Sequence, residues 1–412
     1  MSHNPKVLMI VTLDTKATEA QFIRQTLESQ GVDVVHLDPS IRESVKPGAE
    51  ITPEQVAEAA GQTIQQVRDL NHEGKCQAVM TEGAVKLALA LHARTPLSGI
   101  IAVGGSMGSS LAATVMQAFP YGLPKVLVST MASGFTRPFV GAKDITMFNP
   151  VCDVAGLNSI TSSVFHNASV AVAAMAKAYQ SQPISGKPII AMGTLGTIDR
   201  CTVRVRKQLE EKGFEVLVFH TLGTGGMALD YIVQERDVVA VIDASVSEHN
   251  DFLNNGLCSA GPDRSKAALG KGIPVVFAPG NADFMVGGPL EQAQKQFPGK
   301  RCHPHNLAVT AVRTEKGELQ ALARHIGGLI KEGVQGPVSF FVPLKGFSHH
   351  DSPEGHLHDP SLCPVFYEAV KQEMPEFVTV EKFDCHLNDA QFADALVQET
   401  LRLIALRQEA AV

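Results

Sequence analysis

The chain has 412 residues, 44% of them apolar and 19% charged, which is an ordinary globular composition and more length than one hydrophobic core supports. A formal charge of −7 leaves no basic footprint for nucleic acid or an anionic membrane, and no apolar run approaches the ~20 residues of a membrane helix. Seven scattered cysteines with no CxxC pair, and an N-terminus that enters a short strand instead of a signal peptide, predict a soluble cytoplasmic protein.

Strand-like apolar runs occur at 7–11, 32–37, 78–81, 99–103 and 126–128. Helical patterns lie between most of them, at 17–30, 53–72 and 109–118, and a small-residue helix over 158–179 closes the first half. In the second helix Pro53 fits the first position, with Thr52 as N-cap and Gln55 three residues on. The polar, Pro- and Gly-containing stretch 181–188 reads as a linker. Alternation then resumes, with strands at 189–192, 216–219, 238–242, 275–278 and 338–342 and helices at 199–212, 315–331 and 388–407. This pattern predicts α/β architecture: two doubly wound, Rossmann-like domains over 1–182 and 183–412, with mainly parallel sheets facing a cleft.

An internal repeat supports two related halves. Thr12, Leu13, Thr15, Arg24, Leu27, Glu28, Gly31 and Val34 recur as Thr194, Leu195, Thr197, Arg206, Leu209, Glu210, Gly213 and Val216, at a constant offset of 182. Each copy reads as strand, tight turn, amphipathic helix, helix-ending Gly and strand. Asp14, Lys16 and Glu19 of the first copy become Gly196, Ile198 and Cys201 in the second, so the charges belong to one half.

Ligands of open parallel sheets bind beyond the carboxyl ends of strands. The richest such loop is 104–110, where Gly104, Gly105, Ser106, Gly108 and Ser109 open a helix and form a phosphate-cradle candidate. It is neither a Walker A motif nor GxGxxG, and a structural Gly-rich turn explains the same letters. At the same edge Lys16 suits a phosphate and Asp14 a Mg²⁺ ion or a ribose hydroxyl, with Thr15 between them. An N-cap at Asp14 or Thr15 beside a solvated lysine is the plainer reading. Residues 81–83, Ser133 with Gly134, and the stretch leading to Asn158 are further turn-forming loops.

In the second half Arg264, Arg313 and a histidine (His305, beside Asn306) suit a carboxylate or phosphoryl group. Asp283 or Glu248 would then serve as acid, base or metal ligand, and Ser348 lies at another strand end. Each also fits a structural turn. Residues 349–359 carry four histidines and three acids, yet their spacing matches no standard metal site, and Pro and Gly predict an exposed loop.

The motifs TLDTKATE (12–19), GGSMGSS (104–110), VLVSTMASG (126–134), KDITMFNPVCDVAGLNSI (143–160), SAGPDR (259–264), GIPVVFAPGNAD (272–283), HNLAVTAVRT (305–314) and PLKGFS (343–348) together resemble the UPF0261 family of Tm-1-like ATP-binding domain proteins. The resemblance spans essentially the whole chain. It implies two Rossmann-like subdomains, nucleotide binding by ATP with Mg²⁺, and a homodimer. In plants such a module is fused to a TIM barrel and acts against tobamovirus replication, whereas in bacteria and fungi it stands alone with no established reaction. Where the family loop resembles GGSGGT, this chain has Met107 and Ser109, and its His-rich loop replaces apolar and small residues.

On this basis the nucleotide contacts are expected at Asp14, Thr15, Lys16, Gly104, Gly105, Ser106, Gly108, Ser109, Ser133, Gly134 and Asn158, with Mg²⁺ carried by ATP near Asp14. A small anionic substrate would meet Arg264, Asn306, Arg313 and Ser348, with Asp283, His305 and Glu248 as catalytic groups. Three functions fit these expectations: an ATP-dependent enzyme on a small carboxylate or phosphorylated metabolite, a nucleotide-binding regulatory module without chemistry, and, by architecture alone, a sugar-nucleotide enzyme of the glycosyltransferase or epimerase kind.

Overall fold

The computed structural model describes residues 4–43, 45, 48–179 and 186–410, so most of the predicted linker lies outside the described residues. The chain divides into two compact units, Met1–Pro183 and Ile184–Val412.

In the first unit the elements are β1 (Lys6–Ile10), α1 (Leu13–Ser29), β2 (Asp33–Leu37), α2 (Pro53–Ala59), α3 (Ile64–Asp69), α4 (Glu73–Arg94), β3 (Gly99–Gly104), α5 (Ser106–Gln117), β4 (Lys125–Ser129), α6 (Arg137–Val140), β5 (Thr146–Phe148) and α7 (Ser159–Ala178). The five strands form one parallel sheet in the order β2-β1-β3-β4-β5. Both faces are covered, which is why the strands read as unbroken apolar runs. Leu8, Ile10, Ile100, Ala102 and Leu127 pack against α4 and α5, while Val7, Met9, Ile101, Val103 and Val126 pack against α1 and α7.

Two predicted elements are corrected here. Residues 78–81 are no strand but the middle of α4, where Cys76, Met80, Ala84, Ala88 and Leu91 recur at helical spacing along the buried face. A short apolar run alone does not distinguish the two. Residues 81–83 are therefore not a strand-end loop. Gly83 lets α2 close on α4, since a Cβ there would sit 1.8 Å from the Val56 carbonyl oxygen. The helix predicted over 53–72 is two short helices. Gly61 (φ +78°) breaks it, and Thr63 with Gln66 forms a second capping box behind that of Thr52 with Gln55.

The second unit contains β6 (Ile189–Thr194), α8 (Asp199–Glu211), β7 (Glu215–His220), α9 (Thr224–Glu235), β8 (Val238–Ser245), α10 (Ser247–Asn254), α11 (Lys266–Gly270), β9 (Val275–Gly280), β10 (Phe284–Gly287) and α12 (Leu290–Gln296). After these come β11 (Cys302–Pro304), β12 (Thr310–Arg313), α13 (Lys316–Gly333), β13 (Val338–Pro343), α14 (Leu362–Glu373), β14 (Thr379–Phe383) and α15 (Ala390–Ala410). Six strands form a parallel sheet ordered β14-β13-β9-β8-β6-β7, and β10-β12-β11 form a separate antiparallel ribbon. On one face α8 and α15 cover Ile190, Met192, Ile242 and Val276. On the other, Phe277 stacks on Phe340, which meets Phe366 of α14.

The repeat is visible in the backbone. In both copies the strand leads into one tight turn and then a helix, with a left-handed glycine (Gly31, Gly213) at its end. Lys16 breaks helical geometry inside α1 (φ −138°, ψ 33°), and its counterpart Ile198 does so just before α8 (φ −120°, ψ 12°). The kink belongs to the duplicated scaffold, whatever side chain it carries.

Candidate functional site

The strand order of the first unit reverses between β1 and β3, which separates the loops leaving these two strands and opens a crevice at their carboxyl ends. A cavity of about 560 Å³ lies there, within the size range of small-molecule sites. Thr12, Asp14, Thr15 and Lys16 line it from the β1 loop, and residues 104–108 from the β3 loop. Pro39, Ile41 and Arg42 after β2, and Asn71, His72, Glu73 and Cys76 at the start of α4, complete the wall.

The β3 loop is built around two glycines with different duties. A Cβ on Gly104 would lie 2.7 Å from the Gly108 carbonyl carbon and the Ser109 nitrogen, so only glycine lets α5 fold directly over the strand end. A Cβ on Gly105 would meet nothing within 4 Å. Gly105 is also the N-cap of α5, and no side chain caps that helix. The first-turn N–H groups of Ser106, Met107 and Gly108 are therefore left to the cavity side, where the positive end of a twelve-residue helix favours an anion.

The β1 loop is held differently. Leu13 N–H donates to Asp38 Oδ1 at 3.0 Å and Asp14 N–H to Ser40 Oγ at 3.1 Å, so the Asp38-Pro39-Ser40 turn caps α1 from outside. Burial raises the Asp38 carboxyl above its ordinary range, partly offset by the Ser40 hydroxyl and the two N–H groups it accepts. The Asp14 carboxylate accepts the Arg42 N–H at 3.1 Å. Lys16 Nζ donates to the Val154 carbonyl at 2.9 Å, and buried Glu19 accepts the Gly156 N–H at 2.7 Å. Two of the charges found in only one repeat copy thus clamp the loop before α7. Lysine has three N–H donors, so Lys16 retains capacity toward the cavity.

Of the predicted nucleotide contacts, Asp14, Thr15, Lys16, Gly104, Gly105, Ser106 and Gly108 meet at this cavity. Ser109 is fully buried, with its hydroxyl donating to the Gly104 carbonyl and paired with Ser129. Ser133 and Gly134 end a short 3-10 turn after β4, and Asn158 caps α7 through the Ile160 and Thr161 N–H groups. None of these four is in the cavity wall. Arg42, Asn71, His72 and Glu73 were missed. The Asp38-Pro39-Ser40 turn signal after a strand would have located the first of them.

In the second unit the corresponding reversal falls between β6 and β8. Its edge is filled by the protein's own polar side chains. Ser245 Oγ pairs with Thr221 Oγ1 at 2.8 Å and donates to Asn281 Oδ1 at 2.9 Å, and Asn281 donates to Thr197 Oγ1. Thr221, Ser245 and Asn281 are fully buried.

Arg264, Glu248, Arg313, Asp283 and Ser348 lie in two buried clusters. Arg264, 2% exposed, donates from Nη2 to Asp243 (2.7 Å), from Nε to Glu248 (2.8 Å) and from Nη1 to Ser265 Oγ (2.9 Å). Glu248 also accepts the Gly223 and Gly226 N–H groups at the start of α9, and burial, against the Arg264 charge, leaves its carboxyl raised. In the other cluster Arg313 Nη1 lies 3.2 Å from Asp351 and 3.9 Å from Asp283, which accepts the Ser348 hydroxyl at 2.7 Å. Burial, then the neighbouring Asp351 charge, raises Asp283. His305 is exposed, and Asn306 folds its amide oxygen onto the Ala308 and Val309 N–H groups. The His-rich loop is not simply exposed: His350, Asp351 and Leu357 are buried, because Asp351 supplies the counter-charge to Arg313.

The arrangement of two sequential α/β units has clear relatives. The N-terminal domain of "Uncharacterised protein family (UPF0261)" matches residues 5–181, and its C-terminal domain matches residues 187–404. The chain belongs to the UPF0261 family. A UPF0261 protein of Clostridium tetani is 33% identical over 405 residues, covering 97% of this chain and 99% of the relative. One from Brucella suis is 32% identical over 394 residues, covering 95% and 94%. The tomato "ToMV resistance protein Tm-1(GCR237)" is 29% identical over 429 residues, covering 98% of this chain but 56% of the tomato protein. Among solved structures, a UDP-N-acetylglucosamine 2-epimerase from Rickettsia bellii aligns over 98% of both chains at 10% identity, but its TM-score of 0.22 carries no argument about activity. No helix among the described residues of this UPF0261 chain is long and apolar enough to cross a membrane.

Proposed function

We propose that this UPF0261 chain binds ATP with Mg²⁺ in the crevice of its first unit, and that it acts as a nucleotide-binding module. The observation that carries the reading is the uncapped N-terminus of α5 at a cavity that Lys16 also lines. Backbone N–H groups and an ammonium suit phosphate oxygens, and Gly105 leaves room for their approach. Nucleotide-bound Mg²⁺ takes one or two carboxylates plus phosphate oxygens, and Asp14 and Glu73 are both in the wall. Asp14 and Glu73 would hold the ion, which would offset the phosphate charge.

A second reading, an ATP-dependent enzyme acting on a small anion, needs a recognition group in the second unit. Arg264 and Arg313 are both committed to buried carboxylates, which favours binding over turnover. Calorimetric titration with MgATP, MgADP, AMP and phosphate tests the proposal, using the wild type and Gly105→Ala. The variant's methyl group enters open space, so the fold should persist. Losing charge-assisted hydrogen bonds worth roughly 1.5–3 kcal/mol should weaken MgATP about 10- to 150-fold. Equal affinity in the two proteins, or no binding of any nucleotide by the wild type, would sink the reading. Phosphate release from bound MgATP would restore the enzyme.

A further inference from the structure

Three separate stretches of the second unit bring five imidazoles together. His303 lies on β11, His305 just beyond it, His349 and His350 in the 3-10 turn His349–Asp351, and His356 at the end of the same loop. The rings of His303 and His356 stack at 4.1 Å, and His350 lies 5.1, 6.3 and 6.4 Å from His303, His349 and His305. His350 is the centre and is 7% exposed, with the edge of Phe284 on β10 5.4 Å away. Its Nδ1 is buried without a partner, and no hydrogen bond is made by any of the five rings among the described residues. The charged groups packed on this loop are not partners of the five rings: Asp351 lies beside Arg313 and, at 3.8 Å, His358, and Asp283 beside Ser348 and Arg313. His358 bonds the Asp351 carbonyl, and Arg301 reaches the carbonyls of Leu357 and His358.

His350, buried with its Nδ1 unpartnered, is favoured there as the neutral ring, because its proton would be desolvated beside other imidazoles. A buried imidazole with other rings 5.1 to 6.4 Å away responds directly to the proton. We propose that the 349–358 loop is an acid-released latch: the neutral His350 ring seats it on the β10-β12-β11 ribbon, and protonation of that ring drives it off, taking Asp351 from Arg313 and exposing that guanidinium to anions.

The sign follows from the site. Burial first, then the His303, His349, His305 and His356 charges, lowers His350 to about 4, against 6.5 for a free imidazole. The seated state is fully favoured above 6.5 and is lost as pH falls toward 4. Asp283 and Asp351 act oppositely, because burial raises both and acid then favours their seated forms. They are common to wild type and histidine variants, so the histidine contribution is read as a difference.

The Leu357 N–H, bonded to the His350 carbonyl at 3.0 Å, reports seating. Its hydrogen-exchange protection, corrected for intrinsic rate, should be measured in the full chain with chelator present, at pH 7.5 and 5.0. Loss of protection should be roughly 30-fold greater in wild type than in His350→Phe, the factor that a move from 6.5 to about 4 produces at pH 5.0. Should that variant fail to fold, the exposed-side double variant His303→Asn, His356→Asn should also show a smaller acid response than wild type, and the His350 ring in wild type should titrate well below 6.5 by NMR. An identical acid response in wild type and variants, or a His350 ring titrating at its ordinary value, overturns the latch.

Discussion

Replacing Arg264 by methionine separates a structural arginine from a substrate-binding one. The stem remains and only the guanidinium is lost, leaving the Asp243 and Glu248 carboxylates, both fully buried, without their cation. Breaking a buried ion pair from one side costs about 3–5 kcal/mol. Here the lower end applies, because Glu248 keeps two N–H donors from Gly223 and Gly226 and Asp243 keeps the Ser265 hydroxyl. A loss of about 3 kcal/mol in a unit of this size lowers Tm by roughly 6–12 °C. Without the guanidinium that now offsets it, burial holds the Glu248 carboxyl further above its unfolded value. The folded state then keeps protons that the unfolded state releases, so stability rises as pH falls from 7.5 to 5.5. Thermal unfolding at the two pH values reads both effects: Arg264→Met should melt far below wild type at pH 7.5 and closer to it at pH 5.5. A variant that melts with wild type, or a gap that does not narrow in acid, would refute the reasoning and return Arg264 to the ligand-binding candidates.

Gly104→Ala should destabilise the first unit by about 1–3 kcal/mol in urea unfolding, since its methyl has only α5 backbone to displace, and Gly105→Ala should leave the midpoint almost unchanged. Glu19→Gln keeps the shape of the side chain but weakens the charged acceptor for Gly156 N–H. It should lower exchange protection of that amide several-fold with little change at Asn158 and Thr161, whose bonds are their own. His36, buried with its ring on the Val11 carbonyl, is lowered to about 4, chiefly by burial. Its contribution is present above 6.5 and is lost as pH falls toward 4, by up to about 3 kcal/mol, so His36→Gln should show correspondingly less acid destabilisation of the first unit.

What the sequence disclosed depended on the range of the interactions involved. Most of the strand and helix order, the capping box at Thr52, and the position of residues 14–16 and 104–108 at strand ends are short-range signals that the structure keeps, whereas the apolar run 78–81 is helix and not strand. The remaining cavity wall was hidden because Asn71, His72 and Glu73 reach it only through the break at Gly61 and the docking of α2 on α4, a contact visible only as an absent Cβ at Gly83. Arg264 and Arg313 looked like ligand groups because an arginine in a turn reads the same whether its partner is a substrate or a carboxylate far away in the chain. Asp243 and Asp351 lie 21 and 38 positions from them, beyond any local pattern.

The two repeat copies explain why the two strand reversals differ. The kink at Lys16 and Ile198 is common, so the turn geometry cannot be the difference. What differs is how each turn is tied down. In the first copy Asp38 and Ser40 cap α1 from the β2 loop, while Lys16 and Glu19 hold the loop before α7, so the anchors stand around the crevice. In the second copy Ile198 and Cys201 turn into the apolar core, and the polar work passes to Thr197, held by Asn281 across the strand ends. An anchor across the strand ends fills the space where a ligand would lie. Cutting it tests the idea: Asn281→Ala removes the partner of the half-buried Thr197 hydroxyl and one of the partners of buried Ser245, which keeps Thr221, and should destabilise the second unit by about 1 kcal/mol without creating nucleotide affinity, since no glycine-opened helix end like that of α5 follows β8. If the variant instead bound MgATP as tightly as the first unit does, the contrast between the two crevices would rest on occupancy alone and not on the α5 cradle.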